Sequence, residues 1–302
     1  METFQTIRGR AEPNRKLVRV GCSRRERKDF NVELTSRNRI LEEQLSVLRQ
    51  EHDELRWTIF EAAQMQRRLC GPRHVRREPF TLASELFPVH HLSGDFISVF
   101  DRGAELVFAI GDIAGKGLAA GMWFTHLVGL IRLQVFSGKD PAAAMSIINH
   151  ELCNVQFAPL LTSLFLARLN IEIETITYCN AGHPPSLLIR HCGQVESLDA
   201  GGPILGAVPD AGYVCGQSRL RAGDSLLCYS DGIVECRNAQ GAEFGTERLT
   251  STVGQSYISS ASARLFSLLG AVEDFAGSGR REDDFALMLL HRDEADEANP
   301  CG

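Results

Sequence analysis

Aspartates stand at the ends of four apolar, strand-like runs: Asp95 in Ser93-Gly94-Asp95, Asp112 in Gly111-Asp112-Ile113, Asp231 in Ser230-Asp231-Gly232, and the pair Asp283-Asp284 before Phe285. Hard cations such as Mg2+ and Mn2+ take carboxylate oxygens, backbone carbonyls and water as ligands. A sheet that gathered these strand ends would assemble a site for such ions. Gathered without a cation, the acids repel: two unit charges ~4 Å apart cost about 4 kcal/mol at an effective dielectric of about 20. The richest stretch runs Gly111-Asp112-Ile113-Ala114-Gly115-Lys116-Gly117, with three glycines in seven residues. Such a backbone turns tightly and approaches a ligand closely. A Gly-rich turn before a helix commonly holds phosphate, but Asp112 would repel one unless a cation lay between. A P-loop is excluded, because the spacing from Gly111 to Gly115-Lys116 is one residue short and Gly117 stands where Ser or Thr belongs. Taken singly, each acid reads as an ordinary turn residue. Only convergence would make them a site, and pattern alone does not establish it.

The elements that must position them can be read from periodicity. Strands are expected over 80–87, 96–100, 105–110, 161–170, 175–179, 186–191, 224–229 and 285–290. Helices are expected over 118–136, from Asp140 to about 157, and over 259–276. Asp140 followed by Pro141 is a helix start. Upstream, Leu34, Leu41, Leu48, Leu55, Ala62 and Leu69 fall seven apart, and Asn38, Leu45, His52, Ile59 and Gln66 fall four after the first five of them. That is a heptad pattern for a coiled coil, with Asn38, His52 and Gln66 as polar seam positions that weaken it and fix its register. Gly71-Pro72 ends the helix.

The chain of 302 residues is 44% hydrophobic, enough to bury a substantial core. Its net charge of −6 argues against nucleic acid as the main partner. The longest apolar run, 118–136, is interrupted by His126 and Arg132, so no membrane span is expected. The nine cysteines are scattered without a CxxC pair, which points to a reducing, cytoplasmic setting with neither disulfides nor a zinc knuckle. The organisation expected is a basic, disordered arm at 1–30, a coiled-coil helix at 31–70, a globular domain at 71–292 and an acidic tail at 293–302.

Five motifs in order then carry a resemblance: Ser-Gly-Asp-Phe at 93–96, Gly-Asp-Ile-Ala-Gly-Lys-Gly at 111–117, Asn-Ala-Gly-His-Pro-Pro at 180–185, Tyr-Ser-Asp-Gly-Ile-Val-Glu at 229–235 and Asp-Asp-Phe at 283–285. Over about 75–291 the chain resembles the metal-dependent (PPM, type 2C) serine/threonine phosphatases, in their SpoIIE-like or RsbU-like bacterial branch. The resemblance implies an α+β fold, a four-layer α/β/β/α sandwich of two antiparallel sheets. It implies two Mn2+ or Mg2+ ions, with Asp112 bridging them, the Ile113 carbonyl as a ligand, and Asp231 and Asp283 completing the set. Asp95 would act beside them, and Asp284 is the less favoured ligand of its pair. Two metals ~3.5–4 Å apart activate a water and clamp phosphoryl oxygens.

The chain departs from the family at Ser98, where many members carry a second Asp, and at Ala114, where many carry Ser. The His that follows the bridging acid in eukaryotic relatives has no counterpart. His183 is a candidate for acid catalysis or substrate contact, or equally a stabiliser of its turn. Lys116 either touches phosphate or lines the turn.

The resemblance further implies a phosphorylated STAS-domain anti-anti-sigma protein as substrate, an upstream sensor or response regulator, and a homodimer through 34–69. Helix 118–136 is the expected receiver of a signal from that dimer. The competing reading is a catalytically silent scaffold of the same fold, from which the full acid set separates this chain. The basic arm is compatible with a tether to an anionic surface.

Overall fold

The structure is a computed structural model that describes residues 24–89, 92–115, 117–155, 161–254, 260–277, 281 and 283–294. Lys116, the arm before residue 24, the tail beyond 294 and the expected helix end near 157 lie outside the described residues. The chain divides into two compact units, Met1–Arg56 and Trp57–Gly302.

Helix α1, Arg24–Leu69, contributes to both. It starts earlier than the heptads suggest, so residues 24–30, expected in a disordered arm, are helical. In the first unit its seam leucines Leu34, Leu41, Leu45, Leu48 and Leu55 are 42% to 63% exposed. In the second unit the last turns of α1 behave differently: Ala63 and Gln66 are buried. Gln66 is therefore not a seam residue, and the heptad pattern ends functionally before it.

Strands β1 (His74–Arg77), β2 (Phe80–Phe87), β3 (Asp95–Asp101) and β4 (Glu105–Ile113) come next. Helices α2 (Leu118–Phe136) and α3 (Pro141–Cys153) follow. Then come β5 (Thr162–Asn170), β6 (Thr175–Ala181), β7 (Ser186–Ile189), β8 (Val195–Leu198), β9 (Gly201–Gly202), β10 (Gly216–Arg219) and β11 (Ser225–Tyr229). The chain closes with α4 (Asp231–Val234), α5 (Gly245–Gly254), α6 (Ala261–Ala276) and β12 (Phe285–Arg292). Among the described residues one sheet has the order β1-β2-β12-β11-β7-β8 and the other β10-β6-β5-β4-β3, with β9 parallel to β6. The pairings along both orders are antiparallel.

Alternation along the strands sorts the core into layers. Phe108 and Ile110 of β4, Phe165 of β5, Cys228 of β11 and Met288 of β12 share one cluster, between the sheets. Val107, Ala109 and Leu166 face the other way, onto Phe124, Leu127 and Ile131 of α2 and Met145 and Ile148 of α3. Leu187, Leu227 and Leu289 face Leu249 of α5 and Leu265 and Leu268 of α6. The result is the expected α/β/β/α sandwich. Caps form as read: Asp140 accepts from the Ala143 N–H ahead of Pro141.

Helix α2 is, by length and composition, apolar enough to cross a membrane, in spite of His126 and Arg132. Its face of Ala120, Phe124, Leu127, Val128, Ile131 and Val135 is buried against the second sheet, while Leu118, Met122, Leu133 and Phe136 are exposed. Helix α5 escapes the sequence reading because Thr and Ser fill it and only Leu249 and Val253 mark its buried side. The edge strands β8 and β10 are short and half exposed, and pairing rather than an apolar pattern defines them.

Candidate active site

Register and parity bring the acids together. Asp95 stands directly across from Asp112, and Asp112 directly across from Ser163. Opposed residues of antiparallel strands share a face. Asp112 is two residues beyond Ile110, and Asp95 two before Ile97, so both share the parity of the inter-sheet core. On the facing sheet Ser230 lies two beyond Cys228, and Asp284 two before Ala286, again with that parity. Four strand ends therefore meet at one end of the space between the sheets. Asp231 opens α4 immediately after Ser230, its Oδ1 accepting the Gly232 N–H at 2.8 Å. Gly232 is required there because a Cβ would stand 2.2 Å from the Asp284 carbonyl oxygen.

The acids are set apart by their partners. Asp284 is buried and its carboxylate is held by three donors: Val89 N–H at 2.7 Å, Ser93 Oγ–H at 2.7 Å and Gly94 N–H at 3.1 Å. Asp283 is exposed, and its Oδ1 accepts the Asp284 N–H at 3.0 Å. Asp95 is 3% exposed, takes a hydrogen bond from the Ser230 hydroxyl, and keeps Oδ2 buried without a protein partner. Burial holds its carboxyl well above the usual range, the Ser230 bond opposes that, and the charges of Asp112, Asp284 and Asp231 add to it. Asp112 is raised to about 6, by burial first and then by Asp231, Asp283 and Asp284. Asp95 and Asp112 therefore both lie within reach of the charges of Asp231 and Asp284.

A second feature is a gap lined by oxygen. A Cβ built on Gly94 would stand 2.9 Å from Asp112 Oδ1, 2.9 Å from the Ile113 carbonyl oxygen and 3.1 Å from the Gly115 carbonyl oxygen. Three oxygens converge on space that only a glycine leaves open. Among the described residues no three His, Cys, Asp and Glu side chains form a ready-made metal cage. The donor set instead mixes carboxylate with main-chain oxygen, which suits Mg2+ or Mn2+, ions that keep several waters. The orphaned Asp95 oxygen and the Gly94 gap both fit such a cation.

His183 is enclosed beside this set. It is 4% exposed, its Nδ1 lies 2.8 Å from Ser163 Oγ, and burial pushes its pKa down to about 3. The Asn180 side chain ties its turn, accepting from His183 N–H and donating to His183 C=O. The enclosed imidazole thus ties its own turn to the strand that carries Ser163. Ser98 is on the opposite face of β3 from Asp95, with Phe96 and Phe100 toward the helices, so its difference from the family does not touch the centre. Sequence reasoning missed Ser93, Ser230 and Gln66. Ser93 and Ser230 sit inside quoted motifs and were legible there, whereas the heptads disguised Gln66.

Two antiparallel sheets face to face, helices outside, and carboxylates gathered at one end of the interior are the architecture of PPM (PP2C-type) phosphatases. The SiaA-PP2C domain of Pseudomonas aeruginosa shares this fold at a TM-score of 0.69 and 14% identity, over 80% of this chain and 98% of that one. The PP2C domain of SpoIIE from Bacillus subtilis, with a fragment of its regulatory domain, gives 0.63 at 22% identity, over 73% of this chain and 64% of that one. Phosphoserine phosphatase RsbU of B. subtilis is 26% identical over 270 residues, which are 87% of this chain and 78% of that protein. The sequence model described as Stage II sporulation protein E (SpoIIE) matches residues 102–293, and the chain belongs to that family.

Proposed function

We propose that this chain is a metal-dependent phosphatase of bacterial signalling that removes phosphate from phosphoserine or phosphothreonine on a regulatory protein of the STAS-domain, anti-anti-sigma type. The observation that carries the reading is the convergence of Asp95, Asp112, Asp231 and the Asp283-Asp284 pair around the oxygen-lined gap at Gly94. Asp112, the Ile113 carbonyl, Asp231 and Asp283 would hold two Mn2+ or Mg2+ ions. The bound ions would supply an activated water and positive charge for the phosphoryl oxygens.

The remaining work falls to this chain's own groups. Asp95, with one oxygen on Ser230 and the other unpartnered, orients water and accepts a proton, for which a raised pKa suits it. Asp284 fixes Val89, Ser93 and Gly94 and so holds the loop that carries Asp95. His183 and Ser163 brace the strand next to Asp112. The domain at 71–292 is the catalytic part. The exposed leucines of α1 fit a parallel homodimer over the part of 34–69 that precedes Gln66, which an upstream sensor or response regulator would tune.

The test is phosphate release from a generic phosphomonoester and a phosphorylated STAS protein, with Mn2+ and with EDTA. Activity should require Mn2+ and be lost in Asp231→Asn. Full activity in EDTA would remove the metal mechanism. Activity on the small ester alone would remove the proposed substrate.

A further inference from the structure

One buried polar side chain on α1 has no part in the site described so far. Gln66 is 7% exposed, at the foot of a helix whose neighbouring Arg67 and Arg68 face solvent. Its Nε2 donates to the Ser93 carbonyl at 2.9 Å, and its Oε1 accepts the Ser93 N–H at 3.4 Å. A single side-chain amide thus takes both main-chain groups of Ser93, a residue 1% exposed that lies outside every strand. A loop residue buried in this way has no ladder to satisfy it, and an unpaired N–H or C=O there is costly.

Ser93 is one step from the carboxylates. Its hydroxyl and the next N–H, of Gly94, both donate to Asp284 Oδ2. The Gly94 carbonyl accepts the Ile113 N–H at 3.2 Å, and Gly94 faces the gap lined by Asp112, Ile113 and Gly115 oxygens. Asp95 follows in the chain. The last turn of α1 therefore reaches the oxygen set through Gln66 and Ser93, without passing through α2.

We propose that Gln66 is a positioning residue of the phosphatase centre: its paired bonds to Ser93 set the Ser93-Gly94 segment against Asp284, and so set metal affinity and turnover. This rests on the metal-dependent reading above. If Gln66 were only a staple between helix and domain, its loss would lower thermal stability and leave metal binding alone.

The experiment uses the full chain as wild type, Gln66→Leu, Gln66→Glu, Ser93→Ala and the Gln66→Leu/Ser93→Ala double variant. Leu keeps the volume and removes both bonds, Glu keeps the acceptor and removes the donor, and the serine variant cuts the hydroxyl step. Mn2+ binding is followed by electron paramagnetic resonance, kcat and KM on p-nitrophenyl phosphate, and folding by circular dichroism. The Mn2+ midpoint should rise tenfold or more in Gln66→Leu, with kcat rather than KM falling. Gln66→Glu should move in the same direction, and it carries the test if the Leu variant does not fold. Ser93→Ala should act in the same sense, and the double variant should fall short of the product of the single effects, as expected for groups in one network. Variants that melt earlier but bind Mn2+ and turn over like the wild type would overturn the proposal while leaving the metal reading intact. A wild type that binds no Mn2+ would overturn both.

Discussion

Replacing Asp112 by Asn should stabilise the metal-free protein and abolish its response to Mn2+. The reasoning starts from the Asp112 pKa, raised from 3.8 to about 6 in the folded state. A carboxyl with a raised folded pKa makes the native state bind more protons than the unfolded one. Stability is therefore lost as pH rises through the interval from 3.8 to about 6, and the penalty is complete above it. At about 1.4 kcal/mol per pKa unit the full penalty is roughly 3 kcal/mol. Asp112 is only half-buried, so solvent screening reduces the recoverable part to about 1–2 kcal/mol. With ~2–4 °C per kcal/mol for a domain of this size, the variant should melt about 2–8 °C higher in EDTA at about pH 8. The gap should close toward about pH 4, where the wild-type carboxyl is protonated. The Ile113 N–H keeps its acceptor, the Gly94 carbonyl, in the variant, so the backbone has no reason to shift. Scanning calorimetry in EDTA and in excess Mn2+, at several pH values, reads both effects. Mn2+ should raise the wild-type midpoint and leave the variant where it was. A variant less stable than wild type in EDTA at high pH would show that Asp112 is a structural acceptor, and the account of mutually repelling acids would fail.

Asp284→Ala should be destabilising where Asp112→Asn is not, because it strands the buried donors of Ser93 and Gly94 and the half-buried Val89 N–H, at roughly 1–3 kcal/mol each. Urea unfolding should show a loss of about 3 kcal/mol or more, and a loss below 1 kcal/mol would mean that water replaces the carboxylate freely. Gly94→Ala should put a methyl 2.9 Å from two of the gap's oxygens and weaken Mn2+ binding at least tenfold, read by titration calorimetry, with the far-ultraviolet spectrum unchanged. Asn38→Leu with His52→Leu should tighten the helix pair, since each places apolar area in the seam. Sedimentation and phosphate release on the same samples would check it. A wild-type monomer at tens of micromolar would remove the dimer, and a tighter dimer of unchanged activity would remove the coupling.

Much of this molecule was legible from local pattern. The continuous apolar runs of β4 and β12, the Asp140-Pro141 start of α3 and the seven-residue spacing in α1 are each written in local sequence. The acids were legible too, since a carboxylate beside a small, turn-forming residue at the end of an apolar run is a local signal. Their convergence was not, because it depends on Asp95 meeting Asp112 in register and on a second sheet arriving with Ser230 and Asp284 at the same parity. Nor did the pair Asp283-Asp284 announce its division of labour: the donors that occupy Asp284 come from Val89, Ser93 and Gly94, 190 to 195 residues earlier. His183 had a motif that suited either catalysis or turn building, and its burial, which no local pattern states, lowers its pKa. Gln66 matched its heptad position as well as any polar seam residue could. Only the tertiary structure shows that its amide faces Ser93, because hydrogen-bond partners of a helix face are chosen by what packs against it, and spacing along the chain carries no record of that.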